Sequence, residues 1–160
     1  MGVAGCGKST VGAALAAAQG LPLVEGDDFH SEASRAKMAG GIPLTDADRA
    51  EWLRELGRQL AAHPAGVVLT CSALKKAYRD QLRAAAPGLR FVFLSIGPDE
   101  ALRRVAGRAS HFFSKDLVAS QFATLESPAG EGGVLSVDAL EPLDALQRRL
   151  SAWLHGDGVG

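Results

Sequence analysis

Short apolar runs alternate along the chain with longer segments whose apolar residues recur at helical spacing. The runs are Leu21 to Val24, Val67 to Cys71, Phe91 to Ile96 and Val134 to Val137. Each is bounded by Gly, Pro or charge, as strands buried on both faces are. After Thr45, residues Leu53, Leu56 and Leu60 fall at i, i+3 and i+7, on one face of a helix. Thr45 and Asp48 open that helix with the spacing of a capping box, Asp standing in for the usual Glu. Leu143, Leu146, Leu150 and Trp153 repeat the helical stripe near the end. Trp52 and Trp153 are read as core residues. Strands alternating with helices predict an α/β fold with a parallel sheet flanked by helices. No repeat or linker divides the chain, so a single domain over 1–160 is expected. The polar, Gly-containing segment from Gly107 to Lys115 is expected to stand off as a small lid over roughly 107–120.

Composition narrows the picture further. The 160 residues are 47% hydrophobic and 22% charged, which suits one folded domain. Basic residues number 17 and acidic residues 18, for a net charge of −1. That balance excludes a broad nucleic-acid-binding face. Two cysteines cannot build a disulfide framework, so a reducing, cytoplasmic setting is expected. No apolar run approaches the ~20 residues of a membrane span, so no membrane partner is expected. A secretory leader is not expected, since no basic stretch precedes an apolar one at the start. Nor is myristoylation, which wants Ser or Thr where Cys6 stands.

The chemistry begins at once. Gly2-Val3-Ala4-Gly5-Cys6-Gly7-Lys8-Ser9-Thr10 matches G-x-x-x-x-G-K-[ST], the phosphate-binding loop. Glycines let backbone N–H groups turn inward on a phosphate. The helix begun by Lys8 points its positive dipole end at the anion. Lys8 is expected to reach the β/γ-phosphates of ATP, and Ser9 to ligate Mg²⁺. Cys6, at a helix start beside Lys8, is expected to be a reactive thiol. Such a loop ordinarily follows a buried strand, yet only Met1 precedes Gly2 here. The first strand is therefore expected to be missing or truncated, through a late start codon or a shortened chain. In-frame apolar codons upstream would support that reading, and an upstream stop codon would refute it.

A phosphate loop specifies nucleotide and not acceptor. Glu25-Gly26-Asp27-Asp28-Phe29-His30 closes the first predicted strand, at the end that faces the crevice in open α/β sheets. A carboxylate there can hold Mg²⁺ or take a proton from an attacking hydroxyl. Asp27 and Asp28 can equally cap the next helix, and His30 can be a solvated helix-start residue. Arg49 and Arg79 are candidates for a carboxylate on the acceptor, because the guanidinium fork meets both oxygens. Each can instead be a surface arginine paired along its helix. Lys75 and Lys76 open a helix with the wrong charge for its dipole, which is easier to understand if an anion lies there. Arg104 and Arg108 lie at i, i+4 with His111 beyond. Two like charges so placed repel mildly unless a phosphoryl group lies between them, and the alternative is a basic solvated face. Asp138, after the last strand, falls where adenine would be held.

Several blocks together resemble the bacterial-type gluconokinases, small P-loop kinases. They are the phosphate loop, Gly26-Asp27 with His30, Lys37-Met38, Pro43-Leu44, Asp48-Arg49 and Trp52-Leu53. Cys71-Ser72-Ala73-Leu74-Lys75-Lys76 with Tyr78-Arg79-Asp80 follows, then Arg104, Arg108, His111-Phe112, Ser120-Gln121-Phe122 and Thr124-Leu125-Glu126. The resemblance implies a nucleoside-triphosphate-hydrolase-like α/β fold and ATP-dependent phosphorylation of D-gluconate on its 6-hydroxyl. It implies Lys8, Asp27, Arg104 and Arg108 as catalytic residues, with Asp27 and Ser9 on Mg²⁺. Residues 2–10, Arg104 and Asp138 would bind nucleotide. Asp27, His30, Arg49, Lys75, Arg79 and His111 would bind the acceptor. A homodimer is implied as well. Ser31 and Ser34 depart from the family's Pro and Asn. Shikimate and adenylylsulfate kinases are rivals within the fold, but neither carries the Cys71–Lys76 block. A nucleotide-binding module without turnover is the rival outside enzymes.

Overall fold

The computed structural model describes residues 1–107 and 115–156. Strands form at all four predicted runs: β1 Leu23–Glu25, β2 Val68–Thr70, β3 Phe91–Ser95 and β4 Val134–Asp138. Both ladders are parallel. Leu23 lies opposite Val68 and Glu25 opposite Thr70. Phe91 lies opposite Val134 and Ser95 opposite Asp138. The C-terminal ends of all four strands thus face one way, toward the phosphate loop.

The helices cover both faces. The first, α1 Lys8–Gln19, packs on β1, β2 and the last helix, α7 Leu143–His155. On the other side α3, Asp46–Ala61, packs on α4, Lys76–Ala85. Period-two alternation feeds two cores. Val68, Val92 and Leu94 join Leu15, Leu146 and Leu150 on one face. Leu69 and Phe91 join Trp52, Leu53, Leu56, Leu60 and Leu82 on the other. The stripe of α3 is buried as read, and Trp52 is 4% exposed; of the last stripe Leu146 and Leu150 are buried, while Leu143, 41% exposed, and the half-buried Trp153, under Arg90, are not core. The Thr45–Asp48 capping box is present: Asp48 N donates to Thr45 Oγ1 at 3.1 Å and Thr45 N to Asp48 Oδ2 at 2.9 Å.

Three further α-helices lie among the described residues: α2 Glu32–Ala39, α5 Pro98–Ala106 and α6 Lys115–Thr124. Ser31 caps α2, accepting from Ser34 N, so neither Asp27 nor Asp28 serves as that cap. Of the segment expected as a lid, 108–114 lie outside the described residues. The remainder of that range is largely helical, because α6 buries Leu117 and Val118 in the body of the protein.

No strand precedes the phosphate loop among the described residues, and β2 and β3 do not pair with each other. Between them runs an apolar cleft walled by Leu69, Cys71, Leu82, Phe91, Val92 and Leu94. Met1 occupies one end of it. Its N-terminus donates to Val92 O at 2.7 Å, and its carbonyl accepts from Leu94 N at 3.0 Å. Gly2 N then donates to Ser72 O at 3.2 Å, tying the second ladder to the first.

Candidate active site

The phosphate loop turns back on itself between the strand ends. Gly7, at φ 93, leads into α1 with no side-chain cap. The first amides of α1 are therefore left for an anion. Lys8 Nζ donates to Gly2 O at 3.0 Å and Val3 O at 3.1 Å, which lays the ammonium across the loop. Gly5 sits at φ +84, and a Cβ there would meet Ala101 O at 2.8 Å; both the conformation and the close approach require glycine. Val3, Ala4 and Cys6 are buried. Cys6 is 1% exposed, so the thiol expected from its position to be reactive is a packed side chain.

Glu25, the last residue of β1, gathers two hydroxyls. Ser9 Oγ donates to its Oε2 at 3.1 Å, and Thr70 Oγ1 to the same oxygen at 2.5 Å. This residue received no role of its own from the sequence. The available signal was a carboxylate closing an otherwise apolar strand, a place where charge is rare unless partnered. The chain then makes a 3₁₀ turn over Gly26–Phe29. A Cβ on Gly26 would collide with the Thr70 carbonyl, so glycine lets this turn lie against β2.

Asp27 projects from that turn with its side chain 57% exposed, and His30 Nε2 lies 3.6 Å from its Oδ1. The His30 ring beside it, foremost, holds the Asp27 carboxyl below the usual range, and Lys8 and Arg35 act in the same direction. Asp27 is thus ionised near neutrality. His30 itself is 6% exposed and stacks on Trp52, centroids 4.4 Å apart and planes within 18°. Trp52 Nε1 donates to Gly26 O at 2.8 Å. The indole therefore fixes both ends of the turn that carries Asp27. His30 Nδ1 is buried and has no partner among the described residues.

Asp27, His30, Arg49, Trp52, Ser72 and Gln121 line one cleft with Gly5, Gly7, Lys8 and Ser9. Arg49 Nη1 donates to Tyr78 Oη at 3.3 Å, and the Tyr78 hydroxyl donates in turn to Asp46. Lys75 stands behind this wall, its Nζ 3.1 Å from Asp46 Oδ1. The basic start of α4 needs no outside anion. Lys76 pairs with Asp80 at 2.7 Å, and Lys76 N donates to the Glu126 carboxylate at 2.8 Å.

Arg79 is the clear departure from expectation. It was a candidate for the acceptor, yet it is fully buried and does not line the cleft. Its Nε and Nη2 donate to the Glu131 carboxylate at 3.0 and 2.6 Å. Its other bonds go to Ala73 O, Leu74 O and Glu126 O. Helix α4 turns it inward beneath the loop that carries Ser72, where it holds structure instead of substrate.

Arg104 reaches the far side of the phosphate loop. It donates to Gly5 O at 3.4 Å and Ala139 O at 3.3 Å, beside a groove lined by Cys6, Gly7, Thr10, Ala139 and Glu141. Asp138 is not itself a lining residue of that groove. Its carboxylate accepts from Leu140 N at 2.8 Å and so shapes the turn whose neighbours line it. Arg108 and His111 lie outside the described residues. Among the described residues no group of three or more His, Cys, Asp or Glu side chains could hold a metal ion, and no helix is long and apolar enough to cross a membrane.

A family model described as an AAA domain matches residues 1–128. The gluconokinase of Gluconobacter oxydans is 41% identical over 153 residues, covering 94% of this chain and 86% of that protein. The thermoresistant gluconokinase of Escherichia coli is 39% identical over 150 residues, covering 91% and 86%. The crystal structure of a gluconokinase from Sinorhizobium meliloti superposes with a TM-score of 0.85 at 45% identity, covering 97% of this chain and 93% of that one.

Proposed function

The chain belongs to the gluconokinase family, and from that premise we propose that it transfers the γ-phosphoryl group of ATP to the 6-hydroxyl of D-gluconate. The observation that carries the reading is the single cleft that joins a phosphate loop to Asp27, His30 and Arg49. A sugar acid needs a cation for its carboxylate and polar groups for its hydroxyls. Arg49 supplies the first, braced by Tyr78. His30 and Ser72, which line the same cleft, supply hydrogen-bonding partners for the second.

Residues 2–10 would cradle the phosphates, and Lys8 would follow the transferred group. Arg104, anchored across the loop, would meet the phosphates from the nucleotide side. Ser9 and Asp27 fit a divalent cation shared with the nucleotide. Both present oxygen to the cleft, Glu25 orients the Ser9 hydroxyl, and the protein need offer few ligands because phosphates supply the rest. Bound there, Mg²⁺ would offset charge on the phosphate oxygens. Asp27, held ionised by His30, takes or orients the proton of the attacking hydroxyl. Cytoplasmic location and a homodimer belong to the same reading.

Asp27→Asn tests it. Turnover with D-gluconate should fall by about 10²–10⁴-fold, while nucleotide affinity measured by fluorescent-ATP displacement stays within about threefold. A comparable loss of nucleotide affinity would assign Asp27 to the metal alone.

A further inference from the structure

One hydrogen bond joins the phosphate loop to a helix more than a hundred residues away. Ala4 N donates to Gln121 Oε1 at 2.6 Å. Ala4 is buried within the loop. Because the loop contributes an N–H, the oxygen of the Gln121 amide must face it, and the amide nitrogen must face the other way. Among the described residues that nitrogen donates to none. Gln121 nevertheless lines the same cleft as Asp27, His30, Arg49 and Ser72. Its mount is rigid: α6 is anchored by buried Leu117 and Val118. The chain beyond α6 is tied to the strand-end loop by Glu126 N donating to Leu74 O at 2.8 Å.

We propose that Gln121 is a specificity-determining residue: its carbonyl oxygen fixes the phosphate loop at Ala4 while its amide nitrogen donates to one hydroxyl of the polyhydroxy-acid acceptor. A single side chain then reports acceptor fit directly to the loop that holds the phosphates. The inference rests on the acceptor reading above and adds which group reads the polyol. A site built to donate to a hydroxyl rejects an analogue that lacks it, since the donor is then left unmet. Shape alone would discriminate far less.

The experiment compares D-gluconate with its singly deoxygenated analogues in wild type and in Gln121→Met, which keeps the length and removes both polar ends. In wild type, loss of the hydroxyl that Gln121 reads should lower kcat/KM by about tenfold. In Gln121→Met that one penalty should vanish while penalties at the other hydroxyls persist. Gln121→Glu, which retains an oxygen for Ala4 and drops the donor, answers the same question should the Met variant fail to fold. If every penalty persists unchanged in the variants, Gln121 is a brace for the loop and nothing more. A wild type inactive on gluconate and on all the analogues would remove the reading of the function, and this inference with it. An active wild type with unchanged penalties removes the inference alone.

Discussion

The guanidinium of Arg79 is fully buried, which a cation tolerates only where its N–H groups are matched. Glu131 takes two of its hydrogen bonds, and the carbonyls of Ala73, Leu74 and Glu126 take the others. Ala73 sits at φ 46 without being glycine, a conformation that persists because its surroundings hold it. Arg79→Ala should therefore destabilise by about 3–5 kcal/mol, measured by urea denaturation, whereas Arg79→Met with Glu131→Leu should recover much of that loss. A single variant that melts like wild type would refute this account of the pair. The same residue shows where sequence reading stops. That Lys8, Ser9 and Asp27 line one cleft was legible because short spacings fix them relative to a loop or a strand end. Whether Arg79 and Lys75 face a ligand depends on acids 52 and 29 residues away. No local pattern brings Glu131 or Asp46 to them, and a still longer separation, 117 residues, hid Gln121 from the phosphate loop.

Among the elements, α3 begins with a specific local signal, the Thr45–Asp48 box. Asp48 also accepts from Lys37 of α2 at 2.8 Å. These bonds, that from Lys37 foremost, lower its carboxyl from 3.8 to about 2. A depressed carboxyl stabilises the fold fully above its unfolded value. That stabilisation is lost as pH falls from about 3.8 through about 2. Asp48→Asn should lower Tm at pH 5 and flatten the dependence of Tm on pH between about 4 and 2. An Asp48→Asn melting profile parallel to wild type over that range would count against it. Strands were readable to within two residues because each is a short apolar run between breakers. Helix α6 was not. Its Leu117 faces Met38 and Leu44 while Val118 faces the main core, so its apolar residues form no single stripe.

Over the whole molecule, two parallel ladders stand side by side with an apolar cleft between them. The sequence announced the α/β class but could not announce this spacing, because strand order is set by tertiary packing. The cleft has the walls of a strand seat: facing sheet edges, apolar lining, and Met1 already bonded at one end. Appending a five-residue apolar, β-branched segment before Met1 should raise Tm by about 5 °C or more, as calorimetry would record. A Gly/Ser segment of equal length should leave Tm unchanged. Equal effects of the two would show that the walls do not accept a strand.

Those ladders also divide the labour of the site. β1 and β2 end at Glu25 and Thr70, which meet each other beneath Ser9, and β4 ends at Asp138, beside the groove along Ala139 and Glu141. What joins the two at sheet level is a backbone stitch of consecutive residues, Met1 to β3 and Gly2 to Ser72. Mechanically this is a pair of plates riveted near one corner, and the rivet is the start of the phosphate loop. Any twist of one plate against the other would load first the three hydrogen bonds of Met1 and Gly2 that make the stitch.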